Sequence, residues 1–288
     1  MRGGLGTVIR RAGEAPTTPR TGAFGFLCAA SPSSRTLQFS MTDTWDTIAD
    51  WYAERLRKGS AMHEFARDIL LEQLPDDLTG LRMVDLGCGE GIVARALALR
   101  GAGVRGVDLA PRMIAHAWIA EAERPTGAVY TVDDGCTLAT IGDGTADCVT
   151  AGLSLNNVHD LKATLAAVER VLLPGGRLVF TIPHPCFEAP GAGWAPEAVD
   201  DDPPDSRRRR RTVGDYLTEG FWRSTNPEGA RRAGNHHRTL SSYFGALLDQ
   251  GFTLEAIAEP APPEALRAEQ PLREGLPPFL AATARRTD

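Results

Sequence analysis

Short apolar runs alternate with helical stretches through the middle of the chain, from about residue 82 onward. The runs predict strands at 82–86, 104–108, 128–132, 147–153 and 177–183. Between them, apolar residues recur at helical spacing at 91–99, from Pro111 onward, and from a capping Asp160 to a stop at Pro174-Gly175-Gly176. Strands that alternate with helices form βαβ units, so the pattern predicts an α/β protein with a mostly parallel sheet and helices on both faces.

Other elements flank this alternation. Two helices are predicted before it, around residues 45–52 and 65–74, and a helix at 240–248 and strands at 252–258 and 278–282 after it. The connection between the two parts, residues 184–238, is long and contains Pro, Gly and Trp. A connection of this length usually carries function, so we expect it to be a cap over the carboxyl edge of the sheet. Its acidic run at 200–205 and its arginines at 207–211 predict a mobile loop that neutralises itself.

Length and composition narrow the class of protein. The 288 residues, 42% of them hydrophobic, suit one large globular domain. No apolar run approaches the roughly 20 residues of a membrane span, and a net charge of −6 argues against a general nucleic-acid binder. The five cysteines lack a CxxC motif, which argues against a disulfide scaffold or a cysteine zinc site and favours a cytoplasmic location.

The first 40 residues differ from the rest of the chain. They contain five arginines, a single acid (Glu14), and many Gly, Ser, Thr and Pro residues, without a sustained apolar period. This composition predicts a disordered head. Two interpretations stay open: an organelle transit peptide, or upstream sequence ahead of a true start at Met41. In either case residues 41–288 form the predicted domain.

The strongest candidate site is the segment VDLGCGEG at residues 84–91, which follows a predicted strand and opens a helix. Glycines there allow the backbone to turn sharply and to approach a ligand closely. A dinucleotide fingerprint would have a third glycine at position 92, which is Ile92. Asp85 and Glu90 would repel a pyrophosphate, whereas a ligand with ammonium and sulfonium groups would be attracted. The loop therefore favours a cationic nucleoside over NAD.

Carboxylates also end the next two strands. Asp108 can accept hydrogen bonds from both ribose hydroxyls, while Leu109 and Met113 can pack on an adenine ring. Asp134 can accept a hydrogen bond from the adenine amino group, with the amides of Gly135 and Cys136 facing the ring nitrogens. Acids at three successive strand ends are harder to explain as helix caps than one acid would be.

At these residues the chain resembles the class I S-adenosylmethionine-dependent methyltransferases, from about Trp45 to the C-terminus. The motifs that carry the resemblance lie at 84–91, 106–114, 130–135, 147–160 and 172–176. The resemblance implies a Rossmann-like, seven-stranded sheet with an antiparallel last strand, and S-adenosylmethionine as the cofactor. It places the methionine part of the cofactor against Gly87, Gly89, Gly91, Leu153 and Ser154, and it suggests Tyr52 as a residue that closes over the cofactor.

Two segments, 181–187 and 236–244, resemble the bacterial small-molecule branch of this family (methyltransferase types 11 and 12). They supply the catalytic candidates His184, His236 and Tyr243. An imidazole at the end of the fifth strand could act as a general base, but it could equally shape the turn between two prolines. Methyl transfer can also proceed by positioning alone, without a base.

The resulting prediction is a methyltransferase that acts on a small metabolite, without nucleic acid, membrane or metal. The motif of enzymes that methylate nucleobase amino groups is missing after the fourth strand, where the sequence reads Leu155-Asn156-Asn157-Val158. Two alternatives remain open. One is an enzyme of the same fold that uses the cofactor structurally and catalyses cyclisation or isomerisation; the other is a non-catalytic, cofactor-binding partner subunit. The sequence does not predict the oligomeric state.

Overall fold

A seven-stranded sheet forms the centre of the molecule. The computed structural model describes residues 44–195 and 210–287. Its strands lie in the order Phe252–Ala258 (β10), Phe279–Arg286 (β11), Leu172–Pro183 (β5), Ala146–Gly152 (β4), Arg82–Leu86 (β1), Gly103–Asp108 (β2) and Val129–Val132 (β3). Strands β5, β4, β1, β2 and β3 are parallel to one another, whereas β11 is antiparallel to both β5 and β10. The predicted fold class, a mostly parallel seven-stranded sheet with an antiparallel last strand, is confirmed.

Most bounds of the elements follow the apolar pattern, but the first helix begins at Ala49, later than the predicted 45–52. The sheet strands are β1 Arg82–Leu86, β2 Gly103–Asp108, β3 Val129–Val132, β4 Ala146–Gly152, β5 Leu172–Pro183, β10 Phe252–Ala258 and β11 Phe279–Arg286. The α-helices are α1 Ala49–Arg57, α2 Ala61–Leu71, α3 Ile92–Leu99, α4 Pro111–Glu123, α5 Leu161–Val171, α6 Leu240–Asp249 and α7 Glu264–Glu269. Helix α7 has no counterpart in the sequence prediction.

Helices cover both faces of the sheet, as alternating burial along the strands requires. On one face Val84 belongs to a core cluster with residues of α5 and α6. Its neighbour Met83 belongs to a second cluster, which includes residues of α2, α3 and α4. Because both faces are buried, the central strands are almost continuously apolar, as in Ala146–Gly152. The carboxyl edge of the sheet is therefore the part that the helices leave open.

The end of α5 differs from the prediction. Helix α5 stops at Val171, and β5 begins at the next residue, Leu172, whose backbone is extended. The segment Pro174-Gly175-Gly176 thus lies inside a strand and does not cap the helix. The physical reason is strand pairing: Leu172 already pairs with Ala146 of β4, and an irregularity in the ladder accommodates the segment before regular pairing resumes.

Residues 184–238 contain short strand pairs in their described part. Strand β6 (Gly193–Trp194) pairs with β7 (Arg211–Thr212), and β8 (Gly220–Trp222) pairs with β9 (Asn235–His237). A short 3₁₀ turn, Ala230–Ala233, lies between β8 and β9. Arg211, predicted to lie in a mobile loop, instead forms part of β7, and its guanidinium donates to Phe187 O at 2.9 Å. The acidic run at 200–205 and the head at 1–40 lie outside the described residues.

Two further properties bear on the class of protein. Among the helices of residues 44–195 and 210–287, none combines the length and the apolar character needed to cross a membrane. The four cysteines in these ranges are free thiols, at positions 88, 136, 148 and 186.

Candidate active site

A cavity of about 700 Å³ opens at the carboxyl edge of the sheet. Its floor consists of residues at the ends of β1, β2 and β4, and its sides come from α1, α2 and the segment before and after the 3₁₀ turn. The size falls within the range of small-molecule and cofactor sites. The position is where ligands bind in open α/β sheets, outside the carboxyl ends of the strands.

The glycine loop after β1 is fixed to the end of β2. The amides of Gly87 and Cys88 both donate to Val107 O, at 2.8 and 3.0 Å. The Gly89 amide donates to Asp108 Oδ2 at 2.9 Å. Three consecutive loop amides therefore point into the protein, and the outer side of the loop lines the cavity.

Two of the loop glycines are required by geometry. Gly87 has a φ of +65°, and a side chain there would place its Cβ 2.4 Å from Ser154 Cβ. Gly91 has a φ of +88° and is packed against Tyr130. Gly91 does not line the cavity, so the predicted contact between this glycine and the cofactor is not supported by its position.

Asp108 is bound through both carboxylate oxygens. Besides the Gly89 contact, its Oδ1 accepts from the Ala110 amide at 2.9 Å. Burial raises the pKa of Asp108, and the two backbone hydrogen bonds oppose that shift. Each carboxylate oxygen can accept a second hydrogen bond. The side chain thus connects the glycine loop to the start of α4 and still presents acceptors to the cavity.

Asp85 carries an unusual carboxyl group. It is only 1% exposed, Thr150 Oγ1 donates to its Oδ1 at 2.9 Å, and its Oδ2 has no hydrogen-bond partner among the described residues. Burial raises its pKa to about 7. Glu90 differs, because its Oε2 forms an ion pair with Arg95 Nη2 at 2.7 Å. Of the two acids expected to attract a cation, Asp85 is the one without a cationic partner.

The wall near the end of β2 combines apolar and polar groups. Leu109 is 65% exposed although it is a leucine, whereas Met113 behind it is buried. Asp134 and Gly135 line the cavity beside them. The Cys136 amide, expected to face an adenine ring, donates instead to Asp134 Oδ1 at 2.9 Å and so shapes the turn.

The wall beyond β4 contains the remaining predicted cofactor residues. Leu153 has a left-handed backbone with a φ of +54°, uncommon for a leucine, and its amide donates to Thr181 O at 2.9 Å. Ser154 Oγ donates to Leu86 O at 2.6 Å, which ties the ends of β1 and β4 together. Tyr52 of α1 reaches the same cavity, and burial raises its pKa, so its hydroxyl stays protonated.

The predicted base His184 does not line the cavity. It is 2% exposed, and both ring nitrogens are engaged inside the protein. Nε2 donates to Glu259 Oε1 at 2.6 Å, and Nδ1 accepts from the Cys186 amide at 3.2 Å. The ring also stacks on Phe187, with centroids 4.5 Å apart. Of the two interpretations that the sequence leaves open for His184, these contacts favour a role in shaping the turn after β5.

His236 and Tyr243 also lie away from the cavity. The His236 amide donates to Asn156 O at 2.7 Å, and its ring contacts Phe221. Tyr243 is 3% exposed and belongs to the core between α6 and the sheet. Neither side chain is among those that line the cavity, and these contacts favour structural roles.

Other side chains, which the sequence did not single out, do line the cavity. They are His63, Asn156, Asn157, Arg231 and Arg273. His63 lies edge-on to Tyr52, with centroids 5.3 Å apart, and its Nδ1 is 2.7 Å from Ser60 Oγ. Burial, with a smaller contribution from Arg55, lowers its pKa to about 4, so the imidazole is neutral at physiological pH.

Three buried polar atoms in the cavity wall have no hydrogen-bond partner among the described residues. They are Asp85 Oδ2, Asn156 Oδ1 and Trp45 Nε1. Unpaired buried polar groups are costly, so such atoms mark places where a ligand or water completes the hydrogen bonding. Two are acceptors, which fits the ammonium-bearing S-adenosylmethionine. Residues 44–195 and 210–287 contain no group of three or more His, Cys, Asp or Glu side chains that could hold a metal ion.

Comparison with known proteins agrees with this geometry. Residues 84–180 match the model of a methyltransferase domain. Over 150 residues the chain is 33% identical to a ubiquinone biosynthesis O-methyltransferase of Xanthomonas oryzae pv. oryzae, a match that covers 51% of this chain and 62% of that relative's length.

Two solved structures are similar over most of the chain. An S-adenosylmethionine-dependent methyltransferase from Mesorhizobium loti is 32% identical with a TM-score of 0.63, covering 80% of this chain and 99% of that one. A protein from Listeria monocytogenes, described as a putative S-adenosylmethionine-dependent methyltransferase, is 25% identical, also with a TM-score of 0.63, covering 79% and 98%.

The open, mostly parallel sheet with a ligand cavity at its carboxyl edge defines a Rossmann-like nucleotide-binding fold. Within that class, the identity to the Mesorhizobium loti protein over nearly its whole length shows the family. The chain belongs to the S-adenosylmethionine-dependent methyltransferases, whose cofactor is S-adenosylmethionine.

The buried carboxyl group of Asp85 generates a prediction about stability. Its pKa rises from 3.8 to about 7 on folding, so its contribution to stability is fully present below about pH 4 and is lost as the pH rises through 7. A shift of three units corresponds to roughly 4 kcal/mol at most. Asp85→Asn, which cannot ionise, should therefore gain stability relative to wild type between pH 4 and pH 8.

Urea unfolding of the ligand-free protein at several pH values measures this gain. The control is Asp249→Asn, because that aspartate is exposed at the end of α6. Parallel stability profiles for Asp85→Asn and wild type would contradict the raised pKa.

Proposed function

We propose that the protein transfers the methyl group of S-adenosylmethionine to a small metabolite that binds in the cavity beside Glu188 and Arg231. The observation that carries this proposal is the buried carboxyl group of Asp85 near the end of β1, which lines the cavity beside the glycine loop and has no cationic partner among the described residues. A cationic cofactor would be attracted there, whereas a dinucleotide's pyrophosphate would be repelled.

The residues that would hold the cofactor surround this loop. Asp85 would pair with its ammonium group, and Asp108 would accept hydrogen bonds from the ribose hydroxyls. The methionine part would lie against Gly87, Gly89 and Ser154. The remaining wall residues would cover the adenine and close the site; they are Tyr52, Leu109, Met113, Asp134, Gly135 and Leu153.

The cofactor supplies a methyl group activated by a sulfonium. The protein has to orient the acceptor and exclude water, and this positioning can supply much of the rate enhancement. Tyr52 and Met62 close the cavity on the side of α1 and α2, while Arg231 and Ala233 close it on the side of the 3₁₀ turn. The acceptor would therefore meet the cofactor between two walls that come from different parts of the chain.

A hydroxyl acceptor would also lose a proton, and His63 is positioned to receive it. Nδ1 lies 2.7 Å from Ser60 Oγ, so Nε2, which has no hydrogen bond to the described residues, is the ring nitrogen that could face an acceptor. Its neutral state leaves the nitrogen able to accept. We therefore propose His63, in place of His184, as the base if one is used.

Calorimetry with S-adenosylhomocysteine and NAD tests the cofactor assignment. S-adenosylhomocysteine should bind and NAD should not, because the carboxylates of Asp85 and Asp108 line the site. Incubating labelled S-adenosylmethionine with a metabolite extract then tests transfer. Label in a metabolite together with release of S-adenosylhomocysteine supports methyl transfer; a converted metabolite without that release would favour the cyclase or isomerase alternative. NAD binding without S-adenosylhomocysteine binding would overturn the assignment.

The role of Asp108 can be measured directly. Asp108→Ala should weaken S-adenosylhomocysteine binding by roughly 30- to 150-fold, since it removes a charged acceptor worth about 2–3 kcal/mol. Asp108→Asn keeps one acceptor oxygen and should lose less. Affinity of the alanine variant within threefold of wild type, in a protein of unchanged melting temperature, would show that Asp108 does not hold the ribose.

Paired variants separate the two histidines. His63→Asn should lower turnover by about 10²–10⁴ if the imidazole accepts the proton, with cofactor affinity unchanged. Its pKa of about 4 also predicts no loss of rate near pH 6.5. His184→Asn should lower the melting temperature while turnover per folded molecule survives. The reverse pattern, with turnover lost only on replacing His184, would support His184 as the general base.

A further inference from the structure

Three arginines surround one buried glutamate on the cap side of the cavity, which is the side lined by Glu188, Arg231 and Arg273. Glu188 Oε1 accepts from Arg273 Nη1 at 2.6 Å and lies 3.4 Å from Arg211 Nη2, and its Oε2 is 2.9 Å from Arg231 Nη2. The Glu188 side chain is only 5% exposed. The arginines come from β7, the 3₁₀ turn and the segment after α7, so the fold gathers them at one point.

Positive charge exceeds negative charge in this cluster. Among the described residues, three guanidiniums and one carboxylate give this cluster a formal net charge of +2. Burial raises the pKa of Glu188, but Arg231 and Arg273 outweigh it, so the net shift is downward and the glutamate is ionised. Burial lowers the pKa of Arg211, and repulsion from Arg273 and Arg231 adds to that shift. Arg211 and Arg273 are mostly buried and Arg231 is about one-third exposed, so part of this positive charge is removed from water, which favours an anion beside it.

Two of the three guanidiniums face the cavity. Arg231 and Arg273 line it together with Glu188 and Glu228, whereas Arg211 is not among the lining residues. Arg273 also donates through Nε to Gln270 Oε1 at 2.7 Å, which fixes the plane of its guanidinium. Five N–H donors per guanidinium exceed what one glutamate can accept. The apolar side chains of Met62, Leu153 and Phe279 line the same cavity.

We propose that Arg231 and Arg273 bind a carboxylate group of the methyl acceptor, so that the substrate is an apolar or aromatic carboxylic acid. This inference rests on the proposed function, because only that function makes the bound ligand the methyl acceptor. Guanidiniums match the planar geometry of a carboxylate. Phe279 and Met62 would contact the apolar body of the same molecule, while the acidic strand edge would hold the cofactor. A carboxylate of the cofactor itself is the competing source, and the experiment separates the two.

Benzoate and its neutral isostere benzamide serve as probes. Their binding to the full chain is measured by ligand-observed NMR, with and without saturating S-adenosylhomocysteine. Benzoate should bind in both conditions and more tightly than benzamide. Arg273→Gln and Arg231→Gln should each weaken benzoate by roughly tenfold and leave S-adenosylhomocysteine affinity unchanged. Arg124→Gln is the matched control, since Arg124 is exposed at the end of α4.

A further variant should change benzoate affinity in the opposite direction, which distinguishes an effect on binding from a loss of folding. Glu188→Gln removes the internal carboxylate, so benzoate should bind more tightly than to wild type, whereas a purely structural cluster would give weaker binding in every variant. Equal binding of the two probes, or no binding of either, would overturn the proposal. So would displacement of benzoate by S-adenosylhomocysteine, or loss of S-adenosylhomocysteine affinity in the arginine variants, because the arginines would then hold the cofactor.

The two probes distinguish failure of the anion site from failure of the proposed function. Selective benzoate binding without binding of S-adenosylhomocysteine would leave the anion site standing and overturn the methyltransferase proposal. Binding of S-adenosylhomocysteine without selective benzoate binding would overturn the anion site and leave the methyltransferase proposal standing.

Discussion

The site depends on three amide hydrogen bonds that hold the glycine loop against the end of β2. Gly87 and Cys88 share the carbonyl of Val107, and Gly89 donates to Asp108. In a phosphate-binding loop such amides face the ligand and attract an anion. In this protein the three amides donate to the protein's own oxygen atoms, Val107 O and Asp108 Oδ2. What remains for a ligand on the strand side is a set of carboxylate oxygens, and this reverses the sign of the ligand group that the loop attracts.

The cavity is consequently divided by charge. Asp85 and Asp108 line it at the strand ends, and Arg231 and Arg273 line it on the cap side together with Glu188 and Glu228. Charges of opposite sign on facing walls orient two different ligands more than they increase the affinity of either. A cationic cofactor and an anionic acceptor would each be repelled from the other's wall, which favours one relative orientation of the two.

Local signals explain why most of the fold and the strand side of the site could be predicted. The segment VDLGCG predicts both the turn and its glycines from a few neighbouring residues. The strand 82–86 was predicted with the bounds that the structure has. The same holds for Asp108, because a residue that ends a parallel strand has only one edge of the sheet to face.

The cap side lacked such signals. Glu188 and Arg273 are 85 positions apart, and no periodicity in the chain relates them. His184 shows the converse problem: its place at the end of β5 was predicted, but its orientation depends on Glu259, which lies 75 positions away. His63 was overlooked because a histidine in an amphipathic helix has no distinguishing spacing. Side-chain direction at these positions is decided by tertiary partners, which a single sequence does not specify.

The carboxyl group of Asp85 also couples ligand binding to the solvent. A group with a pKa of about 7 is partly protonated near neutrality. A cation that pairs with the ionised form must expel the proton, so association becomes a proton-releasing reaction below that pH. The heat observed on binding would then depend on the ionisation enthalpy of the buffer, and the affinity would increase as the solution becomes more alkaline.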